Sequence, residues 1–208
     1  MGGRAGGGAR AGGGGAGNEL SAEQKKALEW IIGGRGFNDL TYGKFKDAAV
    51  RDEVKDAIIS YAKEVGLPDS FIRLDVGTLN KGYLGMAQGT HIVLAKSVYG
   101  RTYKTALKAQ QGRIDDGFSF STSKPVSRTV LHELGHVTYN IKLTSAGQAK
   151  VGEIYKKFMG SSSKSSWGRQ SHKSAEEFFA EGMAKSIIGK SDSYTKALRK
   201  VVKTHSRK

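Results

Sequence analysis

The sequence predicts an α+β fold, and three observations carry that prediction. Apolar residues recur at helical spacing in the first third of the chain, the pattern changes to a period of two between residues 71 and 96, and long helical patterns resume after Pro125. Helices on either side of a small block of strands, rather than strands and helices in strict alternation, imply segregated α and β elements.

The elements follow in order. Residues 1–17 (MGGRAGGGARAGGGGAG) hold ten of the 29 glycines and read as a disordered tail or linker, because such chain cannot recover its ordering entropy by burial. Residues 18–208 form one domain, long enough to build a core. Ser21-Ala-Glu-Gln24 is a capping-box pattern that opens a helix carrying Ala27, Leu28, Ile31 and Ile32, with Gly33-Gly34 at its end. A second helix covers about 47–65, with Val50, Val54, Ile58, Tyr61 and Ala62 at helical spacing and Gly66 and Pro68 as its stop. Alternation over 71–76 and again over 90–96, punctuated by Gly77, Gly82, Gly85 and Gly89, predicts a small antiparallel sheet. A short helix near 101–110 and a strand at 117–122 come next. Pro125 then opens a helix over 126–141, at the one position where its missing N–H costs no bond. Helices at 145–159, 174–188 and 192–203 complete the chain.

Composition narrows the function classes. The net charge is +15, from 34 Lys and Arg against 19 Asp and Glu, and Lys196, Arg199, Lys200, Lys203, Arg207 and Lys208 crowd the C-terminus. A surface of that sign suits an acidic protein partner or nucleic acid, or is simply a solvated face, and no recognised nucleic-acid motif accompanies it. The absence of cysteine excludes disulfides, thiolate metal sites and cysteine nucleophiles. There is no signal-peptide pattern at the N-terminus and no run long enough for a membrane span, so the expectation is a soluble chain in an undetermined compartment.

The chemistry is concentrated in His132-Glu133-Leu134-Gly135-His136. Two histidines four apart on a helix share one face, so both imidazoles can reach one zinc ion. Glu133, rotated by about 100°, can approach a water activated by that ion without ligating it, and can serve as the base in attack on a peptide carbonyl. With five His and ten Glu in 208 residues, the chance expectation for this motif is about half a percent. Val126, Val130, Leu131, Leu134 and Val137 already supply the helix with a core stripe, so the histidines are not needed for packing. Gly135 leaves room for a neighbouring segment to approach closely.

A catalytic zinc site needs a third protein ligand and an open position. Lys142 stands where the metzincin pattern requires a histidine and Tyr139 where it requires glycine, which excludes that class. The remaining candidates are a downstream carboxylate or His172. On the helix at 174–188, Glu177 and Glu181 lie one turn apart on one face, so Glu177 can ligate while Glu181 accepts the free ring N–H of a ligating histidine. Ser174-x-x-Glu177 is also a capping box, in which Glu177 would fold back on its own helix N-terminus, and one carboxylate cannot do both.

HELGH followed forty residues on by EEFFAEGMA resembles the gluzincin peptidases, in particular the catalytic domain of anthrax lethal factor and related zincin-like peptidase domains of phage and mobile-element proteins. The resemblance covers roughly residues 90–189, and its specific content is the two helices. It implies a zincin-like fold, one zinc ion held by His132, His136 and Glu177, Glu133 as general base and Glu181 behind a ligand. It also implies a protein or peptide substrate and a virion-associated or delivered effector. The likeness departs at Gln170, where those domains keep a tyrosine that stabilises the oxyanion; His172 is the best placed substitute in sequence, with Trp167, Tyr139 and Tyr194 as others. Substrate binding in such folds uses an edge strand, for which residues 90–99 are the candidate. The sequence thus reads as a zinc metalloendopeptidase. The rival reading is a basic structural or nucleic-acid-associated protein with a non-catalytic zinc site.

Overall fold

The structure is a computed structural model that describes residues 22, 44–66 and 73–207; the expected tail at 1–17 and the capping-box helix from Ser21 lie outside the described residues. It has the α+β architecture, mostly helical around one small sheet.

Helix α1 spans Ala48–Glu64 and is capped by Asp47, whose side chain accepts from the Ala49 N–H at 2.9 Å. Its buried residues Val50, Val54, Ala57, Ile58 and Tyr61 form a single apolar stripe, and the Tyr61 hydroxyl is 2.8 Å from the Thr138 hydroxyl at the far end of the molecule's central helix. Strands β1 (Arg73–Gly77), β2 (Gly85–Gln88) and β3 (His91–Ala95) form a sheet in the order β1-β3-β2. Leu74, Val76, Ile92 and Leu94 alternate inward, as the period-two pattern requires.

The sheet is mixed, not antiparallel. β2 and β3 form the antiparallel hairpin, but β1 runs parallel to β3, pairing Arg73 with His91 and Gly77 with Ala95. Because the chain leaves β1 and passes the hairpin strand before returning, β3 is central. The segment at 90–99 is therefore not an edge strand; among the described residues the edges belong to β1 and β2.

Short helix α2 (Lys96–Tyr99) leads to α3 (Tyr103–Asp115), longer than the pattern near 101–110 suggested. No strand forms at 117–122: the backbone there turns at Gly117 and meets a loop, accepting from the Arg169 and Gln170 N–H groups through the Gly117 and Phe118 carbonyls, each at 3.0 Å. Two bonds to an irregular loop cannot propagate a ladder.

Helix α4 covers Pro125–Val137 and continues as one π-helical turn over Thr138–Lys142. It is buried on almost every side, with α1 on one flank, β2 on another and α6 across a third. Helices α5 (Ser145–Met159), α6 (Ala175–Ile188) and α7 (Ser193–His205) complete the molecule, with 3₁₀ turns at Ser162–Ser166 and Arg169–His172 between α5 and α6. An aromatic cluster fastens these helices together. Trp167 stacks on Phe178 at 4.9 Å, Phe158 lies 4.6 Å from Phe178, and Tyr194 meets Phe158 edge-on. No described helix is long and apolar enough to cross a membrane.

Candidate metal centre

The close crossing of α4 and α6 builds the centre. A Cβ on Gly135 would stand 2.6 Å from the Cα of Ala180, so only glycine allows this approach. It sets the inner face of α6 against the face of α4 that carries both histidines.

His132, His136 and Glu177 are brought together there. Their facing atoms form a triangle: Nε2 to Nε2 is 3.0 Å, His132 Nε2 to Glu177 Oε2 is 3.2 Å, and His136 Nε2 to Glu177 Oε2 is 3.7 Å. Ligands about 2.0–2.1 Å from a tetrahedral zinc ion lie about 3.3 Å from each other, so the donor set fits that ion in type and in spacing. Ser174 caps α6 by accepting from the Glu177 N–H at 3.1 Å, but the Glu177 carboxylate turns toward the histidines instead of closing the capping box.

Each histidine is oriented from behind. The Nδ1 of His132 donates to Glu181 at 3.1 Å, and the Nδ1 of His136 donates to Glu176 at 2.8 Å. Carboxylates accept only, which leaves both Nε2 atoms facing the centre. Glu176 also accepts from the Asn140 amide at 2.8 Å. Glu181 is wholly buried and paired with Arg128, itself only 3% exposed, through two hydrogen bonds. Burial alone would raise the Glu181 pKa, but the Arg128 charge and the His132 hydrogen bond outweigh it and hold the carboxyl below its ordinary value. Neither Glu176 nor Arg128 stood out in the sequence. Arg128 lies one turn before His132 on the same face, a spacing that could have pointed to it.

Proton affinities across the cluster diverge. Burial pushes Glu133 up to about 7, within the range that suits a general base near neutral pH. Burial opposes a charge on His132, yet hydrogen bonds to Glu177 and Glu181 raise it to about 9. Burial likewise works against an ionised Glu177, but His132 and His136 overcome it and lower the carboxyl to about 2. His136 is lowered by its burial and by the charge of His132. Metal binding at the histidine nitrogens requires His132 to give up its proton, so it would be coupled to proton release.

Glu133 lies at the cleft wall under β2. A Cβ on Gly85 would be 2.7 Å from its Oε1, and the Ala87 backbone amide favours the ionised carboxylate against the larger effect of burial. The cleft itself has a volume of about 480 Å³ and runs between β2 and the start of α6, past Arg113, Phe118 and Lys173.

Gln170 occupies the centre directly. Its Oε1 accepts from the Arg128 guanidinium at 2.7 Å, and its Nε2 lies 3.0 Å from His132 Nε2 and 3.1 Å from Glu177 Oε2. Since guanidinium only donates, the amide must turn its oxygen to Arg128 and its N–H groups to the metal-facing atoms. His172 is not brought to the centre: its ring nitrogen meets the Lys164 carbonyl at 3.0 Å, its ring lies on Phe158, and it does not line the cleft. Trp167 donates to Asp192, Tyr194 lies near the Lys157 carbonyl, and Tyr139 packs on Phe179; none of the three lines the cleft. No protein-family model, curated protein or solved structure matches the chain.

Proposed function

We propose that the chain is a zinc-dependent endopeptidase of gluzincin type on a zincin-like fold, with Glu133 as general base. The observation that carries this reading is the triangle of His132, His136 and Glu177, whose edges of 3.0, 3.2 and 3.7 Å suit one tetrahedral zinc ion.

When bound, zinc supplies Lewis acidity, lowering the pKa of water toward neutrality and polarising the scissile carbonyl. The chain's own residues do the rest. Glu133, packed against Gly85 of β2 and raised by burial to about 7, takes the proton of the attacking water and passes it to the leaving amine. Gln170 points N–H donors at the same space, so its amide stabilises the negative charge that develops on the carbonyl oxygen. Glu181 and Glu176 hold the two imidazoles in the tautomer that leaves Nε2 free. The outer edge of β2, which no other described strand pairs, runs beside Glu133 and offers backbone groups to an extended peptide.

The basic face of α7, with Lys196, Lys200 and Lys203 exposed, favours the rival reading of a nucleic-acid-associated protein whose zinc is structural. An inward-facing Gln170 amide nitrogen, which has no lone pair to give, speaks against a fourth protein ligand there. One experiment separates the readings. Glu133→Gln should keep one zinc per chain while cleavage of a peptide library falls about 10²-fold or more. A wild-type protein that binds zinc, cuts nothing and binds nucleic acid with a steep salt dependence decides for the rival.

A further inference from the structure

The metal end of the cleft is crowded with acids, but the opposite end has the reverse character. Arg113 on α3 places its guanidinium 4.5 Å from the centre of the Phe118 ring, and Lys173 places its ammonium 4.8 Å from the same ring. All three residues line the cleft that holds His132 and Glu133. Among the described residues neither cation has a carboxylate within ion-pair distance; Arg113 also donates to the Gly82 carbonyl. The acids of the cleft are engaged elsewhere: Glu176 by His136 and Asn140, Glu177 by His132 and Gln170, and Glu133 by β2. The basic character also extends outward. A second, open cavity of about 610 Å³ shares Arg113 with the cleft and is lined by Lys104 and Lys108, with Asp116 as its single acid.

We propose that Arg113, Lys173 and Phe118 form a subsite for an acidic side chain, so that the chain binds extended polypeptide segments rich in Asp or Glu. Both cations lie on one aromatic ring with no ion-pair partner among the described residues, so this end of the cleft carries positive charge that an incoming carboxylate can meet as a charge-assisted acceptor. The β2 edge provides the extended backbone partner beside it, with Met86 and Tyr83 exposed to meet the neighbouring side chains. A nucleic acid suits this cleft less well. The Phe118 ring that would stack a base already carries the Arg113 and Lys173 cations.

The proposal deepens the peptidase reading and rests on it for the direction of the peptide, but it is tested by binding. The full chain carrying Glu133→Gln is loaded with zinc and titrated into a short fluorescein-labelled peptide with Glu at alternate positions, and into its Gln counterpart, with anisotropy as the readout. The acidic peptide should bind about tenfold more tightly or better, and Arg113→Gln with Lys173→Gln should erase that difference. Lys173→Glu alone, at an exposed position, should weaken the acidic peptide and strengthen a Lys-containing one. Equal affinity for the Glu and Gln peptides overturns the proposal, as does a preference that survives the double substitution. Displacement of the acidic peptide by a single-stranded oligonucleotide at lower concentration than by unlabelled peptide also overturns it. A wild-type protein that cuts no peptide but keeps the charge-dependent binding removes the peptidase reading and leaves the subsite standing.

Discussion

Gly135 and Ala180 touch backbone to backbone where α4 crosses α6: a Cβ on Gly135 would lie 2.6 Å from the Ala180 Cα and 3.0 Å from its carbonyl oxygen. The crossing determines how far Glu177, three residues before Ala180, stands from the histidines that flank Gly135. Gly135→Ala therefore forces the helices apart. The expected loss is about 1–3 kcal/mol of stability, from overpacking against backbone that cannot yield. Zinc affinity should fall with it, because the Glu177 edges of the triangle lengthen. Chemical denaturation and metal analysis of the variant check both, and an unchanged zinc affinity would show that the crossing does not set the site.

Gln170 gives the second prediction. Gln170→Leu removes the N–H donors while keeping the side chain's size, and should lower kcat by about 10²–10³ with zinc content intact. KM should change little, because the oxygen charge develops only in the transition state. Gln170→Tyr, which restores a hydroxyl donor, should recover part of the rate. A loss confined to KM would make Gln170 a substrate-binding group only.

A third prediction concerns pH in the metal-free protein. Glu133 and His132 both bind a proton more tightly in the folded state than in the unfolded chain. The Glu133 contribution is complete below its ordinary 4.5 and is lost as pH rises through about 7. The His132 contribution is complete below 6.5 and is lost as pH rises through about 9. Glu177 works in the other sense: its contribution is present above 4.5 and is lost as pH falls through about 2. His136, lowered in the folded chain, opposes this trend below 6.5, so with zinc chelated the Tm should decline from about pH 7 to pH 9, whereas zinc should stabilise more strongly as pH rises because it displaces protons. Calorimetry with and without chelator measures this, and a metal-free Tm that climbs over that interval contradicts it.

The buried Arg128–Glu181 pair supplies the fourth. Arg128→Met leaves a wholly buried carboxylate without its partner and should cost about 3–5 kcal/mol. It also frees the Gln170 amide to turn over. Adding Glu181→Gln should restore much of the stability but not the rate, since the amide orientation still lacks its anchor. Stability from urea unfolding and kcat on a common peptide distinguish the two effects. If the double variant recovers both, Arg128 acts through Glu181 alone.

Much of this was legible along the chain. Helical and period-two patterns are local, so α1, β1, β3 and the helices from α4 onward stand within a few residues of where periodicity and caps put them. The spacing of His132, Glu133 and His136 on one helix is equally local; in the structure Glu177 stands beside both histidines, and the histidine that Glu181 meets is His132. The failures share a different cause. Strand order depends on how the chain returns to the sheet, which no local pattern records, so the edge beside the cleft is β2 and not residues 90–99. The segment at 117–122 has strand-like residues, but it meets the loop holding Gln170 instead of another strand.

The sequence by itself placed the candidate donors His132 and His136 and the candidate base Glu133 on one helix, and Glu177 and Glu181 one turn apart on another, because residues four apart on a helix are neighbours in any fold. Only the tertiary structure decided which groups stand behind those donors. Arg128 and Gln170 are separated by 42 positions, yet one hydrogen bond between them turns an amide so that N–H groups face the candidate metal site. That orientation depends on a contact between distant segments, and His172, near in sequence, is excluded from the cleft by its own packing against Phe158.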